Sequence, residues 1–206
     1  NIEAKTSGDA IIKTEHATYS ADQVVVSGGA WVRKLIPDYA SKFRTTRQTL
    51  YWFALKEGSA LYNPSRCPVY IWALGENGDG GIYGFPAVDI QSGAIKVAEE
   101  TYDLDIDPDS VDRAVSKTAI QEMFKRNLEG RLVDVTSQCL RTTTCLYTIT
   151  ADSDFIIGRL PHSPQIIIVS ACSGHGFKHS AAIGESVAGL ALDAQSTLSL
   201  RAFAPG

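Results

Sequence analysis

Residues 170–179 read SACSGHGFKH, and the run that enters them, QIIIVSAC at 165–172, is apolar over the length of a core strand. A buried strand that leaves through Gly174, His175 and Gly176 and then opens a helix around Lys178 is a strand–glycine turn–helix unit. The first turn of a helix carries unpaired backbone N–H groups and about half a positive charge. Glycines strip side-chain bulk from the approach, so a flat or anionic ligand can reach the backbone. Lys178 adds a full positive charge. The segment therefore reads either as an anion-stabilising corner or as a tight turn with glycine at positive φ beside a solvated lysine.

Working outward, DFIIGRL at 154–160 and TTTCLYTIT at 142–150 are two more core strands, and FKHSAAIGESVAGLALD at 177–193 is a final long helix. LSLRAFAP at 198–205 reads as a tail strand or loop. Towards the N-terminus, residues 10–29 read as a hairpin or meander whose apolar strand QVVVS ends on Gly28-Gly29, followed by a short helix, AWVRKLI, stopped by Pro37. TTRQTLYWFALKE at 45–57 is a long aromatic and β-branched strand. CPVYIWAL and GGIYGFPAV flank hairpin-turn signals in GENGDGG, and GAIKVAEE at 93–100 is a further strand. DIDPDSVDRAV at 105–115 predicts a helix, with Asp107 as N-cap, Pro108 at the first helical position and acids in the first turn. TAIQEMFKRNL at 118–128 predicts an amphipathic helix with Ile120, Met123, Phe124 and Leu128 on its core stripe and Gly130 as its stop. Strands, two helices, strands and a last helix make an α+β pattern with a mixed or antiparallel sheet.

The chain of 206 residues has room for one large domain or two small ones. Its net charge of −4 gives no basic footprint for nucleic acid and no polybasic membrane surface. No apolar run approaches the ~20 residues of a membrane span, and the first segment lacks a secretory signal pattern. Cys67, Cys139, Cys145 and Cys172 form no C-x-x-C pair and suit a reducing cytoplasm. His175 and His179 would share a helix face, but nothing supplies the rest of a zinc shell, so no metal site is expected.

CLYT at 145–148, DFIIGRLP at 154–161, SGHGFK at 173–178 and IGE at 183–185 occur together in this order and spacing. With them the sequence resembles the carboxyl half of the monomeric sarcosine oxidase and N-methyltryptophan oxidase family, FAD-dependent amine oxidases of the D-amino-acid-oxidase-like superfamily. ADQVVVSGGAW, TTRQTLYWF and IYGFP also resemble family segments, so the resemblance covers nearly the whole chain. It implies three parts: residues 1–44 closing an FAD-binding domain, 45–150 forming the sheet and helices of a substrate domain, and 151–206 returning to the FAD-binding domain with the flavin-facing turn and final helix. The N-terminal dinucleotide-binding βαβ unit with G-x-G-x-x-G is absent from the sequence. The expectation is thus a fragment that begins where the middle of a larger protein would be and that, alone, binds FAD weakly and is inactive.

The resemblance also implies roles. Cys145 stands where the family can carry FAD through an 8α-thioether; from the residues alone it is a buried small hydrophobe. Gly174, His175 and Gly176 match the turn facing the flavin's pyrimidine edge, and Trp31 ends the segment counted with the cofactor-binding residues. Lys178 matches the lysine that binds the substrate carboxylate, and Tyr147 and Tyr83 match tyrosines lining the substrate pocket. Lys96 matches a lysine where O₂ reacts; otherwise it is a strand lysine on a wet face. Glu100 replaces a family histidine beside the substrate amine, and Cys172 a larger apolar residue, so the substrate can differ from sarcosine. The implied reaction is oxidation of a secondary or N-methyl amino acid by hydride transfer to FAD, with O₂ as acceptor and an imine and H₂O₂ as products. The alternatives are a non-catalytic interaction domain that keeps the fold and a flavin dehydrogenase relative with another electron acceptor.

Overall fold

The computed structural model describes residues 1–74, 80–88, 93–102, 104–194 and 198–206. They cluster into two units, residues 1–46 with 105–108 and 147–206, and residues 47–104 with 109–146.

In the first unit, β1 (Ile2–Ala4), β2 (Ala10–Lys13) and β3 (Thr18–Ala21) form an antiparallel meander, one strand longer than the sequence indicates. β4 (Val24–Val26) then joins a second sheet in the order β10-β11-β4, where β10 spans Ile156–Leu160 and β11 spans Ser163–Ser170. β11 runs antiparallel to β10 and parallel to β4. Parallel pairing goes with burial on both faces, and the alternation along β11 shows it. Ile166 and Ile168 pack with Val26, Val32, Phe43 and Leu160, whereas Ile167, between them, packs with Phe155, Ile157 and Val187. Burying each of these isoleucines contributes about 1.5–3 kcal/mol.

The first of those clusters is closed by α1 (Val32–Leu35), a short helix that follows a 3₁₀ turn over Gly29–Trp31. Pro37 ends it as expected, and a second 3₁₀ turn, Pro37–Lys42, starts on that proline. The other cluster is closed by α3 (Ser180–Ala191), which brings in Ile183, Val187, Leu190 and Ala191 at helical spacing. Arg159 ties these parts together. Its guanidinium donates to Gln23 Oε1 at 2.7 Å, to the Pro164 carbonyl at 2.9 Å, and to the Leu190 carbonyl and Asp193 Oδ1 at 2.7 Å each. It thus caps the end of α3, where carbonyls lack partners. The tail is neither a strand nor a free loop: Leu200 and Phe203, around a 3₁₀ turn at Arg201–Phe203, pack into the α3 cluster.

The second unit holds the five-stranded sheet, in the order β6-β7-β8-β5-β9. Its strands are β5 (Phe43–Leu55), β6 (Tyr70–Ala73), β7 (Gly81–Phe85), β8 (Ala94–Glu99) and β9 (Val135–Thr150). β6 and β7 pair antiparallel, as a hairpin requires; residues 75–79 of the turn signal between them lie outside the described residues. One face of the sheet carries Tyr51, Phe53, Ile82, Ile95 and Val97, and these pack with Met123 and Leu128. α2 (Lys117–Met123) starts at Ser116, whose side chain accepts the Ala119 amide at 3.1 Å. It runs into a π turn over Phe124–Leu128, and Gly130, at φ +74°, ends it.

The helix expected over 105–115 is not formed: the segment has no regular secondary structure, with a turn at 108–109 and a bend at 110. Its acids serve other partners. Asp105 accepts both the Arg33 guanidinium and the Thr45 amide, Asp107 pairs with Lys34 at 2.7 Å, and the Ile106 amide donates to the Thr45 carbonyl. Further on, the Arg113 and Ala114 carbonyls accept from Thr144 and Arg47. Tertiary hydrogen bonds replace the helical ones, and the single helix start is at Ser116.

Candidate functional site

After β11 the chain turns through Ser173 at φ +42° and Gly174 at φ +76°. Ser173 is held there by its amide on the Thr148 carbonyl and its hydroxyl on the Asp154 carbonyl, both 2.9 Å. The His175 and Gly176 amides both donate to the Cys172 carbonyl at 3.0 Å, and Cys172 Sγ accepts the Thr148 amide at 3.3 Å. His175 places Nδ1 2.9 Å from the Ser173 carbonyl and stacks on Phe155 at 4.8 Å. His179 meets both rings edge-on. The two histidines are thus packed as an aromatic cluster, and no group of metal-binding side chains occurs among the described residues.

The two glycines have an explanation inside the protein. A Cβ on Gly174 would lie 2.7 Å from Cε2 of Tyr147, in addition to the positive φ. A Cβ on Gly176 would overlap the Ala171 carbonyl oxygen. What comes close to the backbone here is therefore a tyrosine ring and a carbonyl of the same unit. Two features remain directed outward. Among the described residues the Phe177 amide, in the first turn of the 3₁₀ segment Gly176–His179, has no acceptor, and the exposed Lys178 has no ion pair. Lys178 belongs to that 3₁₀ segment rather than to α3, which starts at Ser180. Trp31 ends the 3₁₀ turn after β4, 41% exposed, with its amide on the Gly28 carbonyl. The same unit has a cleft of about 400 Å³ lined in part by Arg33, Lys34, Asp105 and Asp107. Burial alone would raise the Asp105 carboxyl, but the Thr45 amide and Arg33 outweigh it and hold it below the usual range. These charges neutralise one another, a structural arrangement.

In the second unit the sheet face opposite the core carries a different set. β7–β8 register places Phe85 across from Lys96 and Tyr83 across from Ala98, and β5–β8 register places Trp52 across from Lys96. The Lys96 ammonium lies 4.4 Å from the Phe85 ring centre and 5.9 Å from that of Trp52. The Arg141 guanidinium sits 4.7 Å from the same indole, and Tyr83 meets Phe85 edge-on at 6.5 Å. Tyr83, Phe85, Lys96, Trp52 and Arg141 thus form one row across the strands. Cys145 lies four residues beyond Arg141 on β9; it is a half-buried thiol outside any disulfide. Glu100, just past β8, accepts the Tyr102 hydroxyl at 2.7 Å. Burial, then the bond to Glu100 and its charge, push the Tyr102 phenol far up, so it stays a donor.

The residues singled out from the sequence therefore fall in two groups. Gly174, His175, Gly176, Lys178, Tyr147 and Trp31 belong to the first unit; Lys96, Tyr83, Glu100 and Cys145 belong to the second. Within them, Gly174 meets Tyr147, and Tyr83 and Lys96 share a face. Trp52, Phe85, Arg141 and Tyr102 were not singled out. Only Tyr102, two residues from Glu100, had a local signal; Trp52, Phe85 and Arg141 reach Lys96 through strand register and side-chain contact across strands.

The family described as FAD dependent oxidoreductase (DAO) matches residues 1–190. The monomeric sarcosine oxidase of Streptomyces avermitilis is 35% identical over 197 residues, 94% of this chain and 50% of that protein. The N-methyl-L-tryptophan oxidase of Yersinia pestis is 30% identical over 203 residues, 98% of this chain and 52% of that protein. The chain spans about half the length of these curated relatives. Among solved structures, NikD, described as an unusual amino acid oxidase, matches with a TM-score of 0.75 over 99% of this chain and 53% of its own at 17% identity, a likeness of fold. No helix among the described residues is long and apolar enough to cross a membrane.

Proposed function

The chain belongs to the FAD dependent oxidoreductase family, and from that premise we propose that it carries the substrate-binding part and a closing part of the flavin-binding domain of an amine oxidase. In this reading residues 1–44 and 151–206 complete the flavin-binding domain and 45–150 form the substrate domain. FAD, when bound, supplies the hydride acceptor for oxidation of a secondary or N-methyl amino acid to an imine, with O₂ as the final acceptor and H₂O₂ as product.

The observation that carries the proposal is Lys96. Its ammonium has no acid or carbonyl partner among the described residues and is held by two aromatic rings on the face away from the core. A solvated strand lysine needs no such seat; a fixed cation over rings of low polarity is suited to negative charge that develops nearby.

The residues present fit the cofactor's chemistry. The Phe177 amide, without an acceptor among the described residues, and the exposed Lys178 offer a donor and positive charge to an anionic ring edge or a carboxylate. In the proposal Gly174, His175, Gly176 and Trp31 border FAD, and Cys145 is the thiol that anchors it. Lys178 binds the substrate carboxylate, and Tyr83 and Tyr147 line the substrate. Lys96 holds its positive charge where O₂ is reduced. Glu100, oriented by Tyr102, faces the substrate nitrogen, where a carboxylate favours the cationic amine and takes up its proton.

The test is anaerobic mixing of the FAD-loaded protein with N-methyl amino acids. Bleaching of the flavin absorbance is expected, with recovery and peroxide formation when air is admitted. Bleaching that only an artificial acceptor reverses would make the protein a dehydrogenase. If dithionite bleaches the flavin and no N-methyl amino acid does, the proposed substrate class is wrong.

A further inference from the structure

We propose that the Arg141 guanidinium, seated on Trp52, is a binding site for a carboxylate on the side chain of the substrate, so that the preferred amine is an acidic one with a second anionic group. The binding part stands on the sheet face itself; the word substrate rests on the function proposed above.

Arg141 is exposed, and its side chain makes no hydrogen bond or ion pair among the described residues. Arg47, Arg113, Arg126 and Arg131 of the same unit each donate to an acceptor. What Arg141 has instead is the indole of Trp52, 4.7 Å from its guanidinium carbon. The indole holds the guanidinium in place, and its N–H donors carry no hydrogen bond among the described residues, so they are open to the two parallel bonds a carboxylate accepts.

Lys96 approaches the same indole, so two positive charges share one ring. Like charges this close repel unless an anion joins them. Among the described residues no acid pairs with either charge. On this face the paired strands present Tyr83, Phe85, Ala94, Lys96, Ala98, Leu50, Trp52 and Ala54, none acidic. Glu99 points to the opposite side, where Arg126 and Asn127 use it, and Glu100 accepts from Tyr102. Cations above aromatic rings suit a small organic anion, its carboxylate on Arg141 and its apolar stem along Trp52 and Phe85.

The test titrates glutarate into the chain and follows the indole N–H resonance of Trp52, assigned through Trp52→Phe. A saturable shift is expected, with affinity about tenfold weaker in Arg141→Gln, the loss of one charge-assisted pair. Arg141→Lys keeps the charge but loses the fork, so weakening there too is expected, and it serves if the glutamine variant does not fold. No saturable shift, equal affinity in all variants, or the same response to sodium chloride would overturn the site. The binding needs no flavin, so it survives if the FAD-loaded protein oxidises no N-methyl amino acid. Conversely, suppose the FAD-loaded protein turns over N-methylalanine and N-methylaspartate alike, and Arg141→Gln slows neither. The flavin reading then stands and the acidic-substrate inference falls.

Discussion

The ring of Tyr147 occupies the place where a side chain on residue 174 would begin: a Cβ built on Gly174 falls 2.7 Å from Cε2. Gly174 also has φ +76°, a conformation that costs an L-residue about 1 kcal/mol or more. Gly174→Ala is therefore expected to destabilise the chain by roughly 2–3 kcal/mol, strain and overpacking together. Urea denaturation of the single variant and of Gly174→Ala/Tyr147→Ala separates the two. With the ring gone the clash disappears and only the backbone strain remains, so the effects are non-additive. Strict additivity would mean that Tyr147 does not hold this turn.

Tyr70 offers the opposite case. Its hydroxyl is buried without a hydrogen-bond partner among the described residues, and its ring covers Gly84 so closely that a Cβ there would overlap it. A buried polar group without a partner costs about 1–3 kcal/mol. Tyr70→Phe keeps the ring and removes the orphan, so it should leave stability unchanged or raise it, while Gly84→Ala should lower it. Thermal melts of both variants check the pair; a clear loss in Tyr70→Phe would show that the hydroxyl has a partner.

These two sites show what the sequence carried and what it did not. The apolar run Ile166–Ile168 and the stripe Ile183, Val187, Leu190 and Ala191 are local patterns, and they became β11 and α3. The glycines at 174 and 176 were legible as places where the chain tolerates no side chain. Their neighbours were not, because Tyr147 lies on another strand and the Ala171 carbonyl depends on the turn's dihedrals. Asp107-Pro108 gave a sound helix-start signal, but capping and pairing use the same carboxylate. Only the fold brings Arg33 and Lys34 to Asp105 and Asp107. The row from Tyr83 to Arg141 required strand register, which no single segment encodes.

High pH tests the core of the second unit. Burial, with smaller contributions from the charges of Cys67 and Asp134, pushes the Tyr62 phenol up to about 12, and its hydroxyl donates to the Val133 carbonyl at 2.9 Å. Burial likewise raises Tyr51 and Tyr70. A phenol raised in the folded state favours the neutral form there. Its contribution is complete below the unfolded value of about 10 and is lost as pH climbs through the folded one. The urea midpoint should therefore hold steady up to about pH 9 and fall steeply beyond about pH 10, with a shallower fall in Tyr62→Phe. A fall of equal steepness in that variant would mean that Tyr62 does not control alkaline unfolding.

Cys145 tests the anchor of the cofactor. Under the proposed function its thiol holds FAD covalently, so acid precipitation of the FAD-loaded protein should leave the yellow colour in the pellet. Cys145→Ser should move it to the supernatant. Colour that stays in the pellet of the serine variant would place the link on another residue, and colour free in the unsubstituted protein would make the cofactor non-covalent.

Lys178 separates carboxylate binding from every other use of the glycine turn. Among the described residues its exposed ammonium has no ion pair and the neighbouring Phe177 amide no acceptor, so a substrate carboxylate meets a charge and an N–H group from one short segment. Removing one partner of a charge-assisted contact in a closed site costs roughly 2–5 kcal/mol. At about 1.4 kcal/mol per tenfold, that is at least an order of magnitude in kcat/KM. The loss should depend on the carboxylate. In the FAD-loaded protein, Lys178→Met is expected to damage turnover of an N-methyl amino acid far more than turnover of the corresponding decarboxylated amine. Methionine keeps the length and apolar stem of the side chain, so packing is largely preserved. Equal damage to both substrates would mean that Lys178 acts through the cofactor or the fold, and the carboxylate would need another partner.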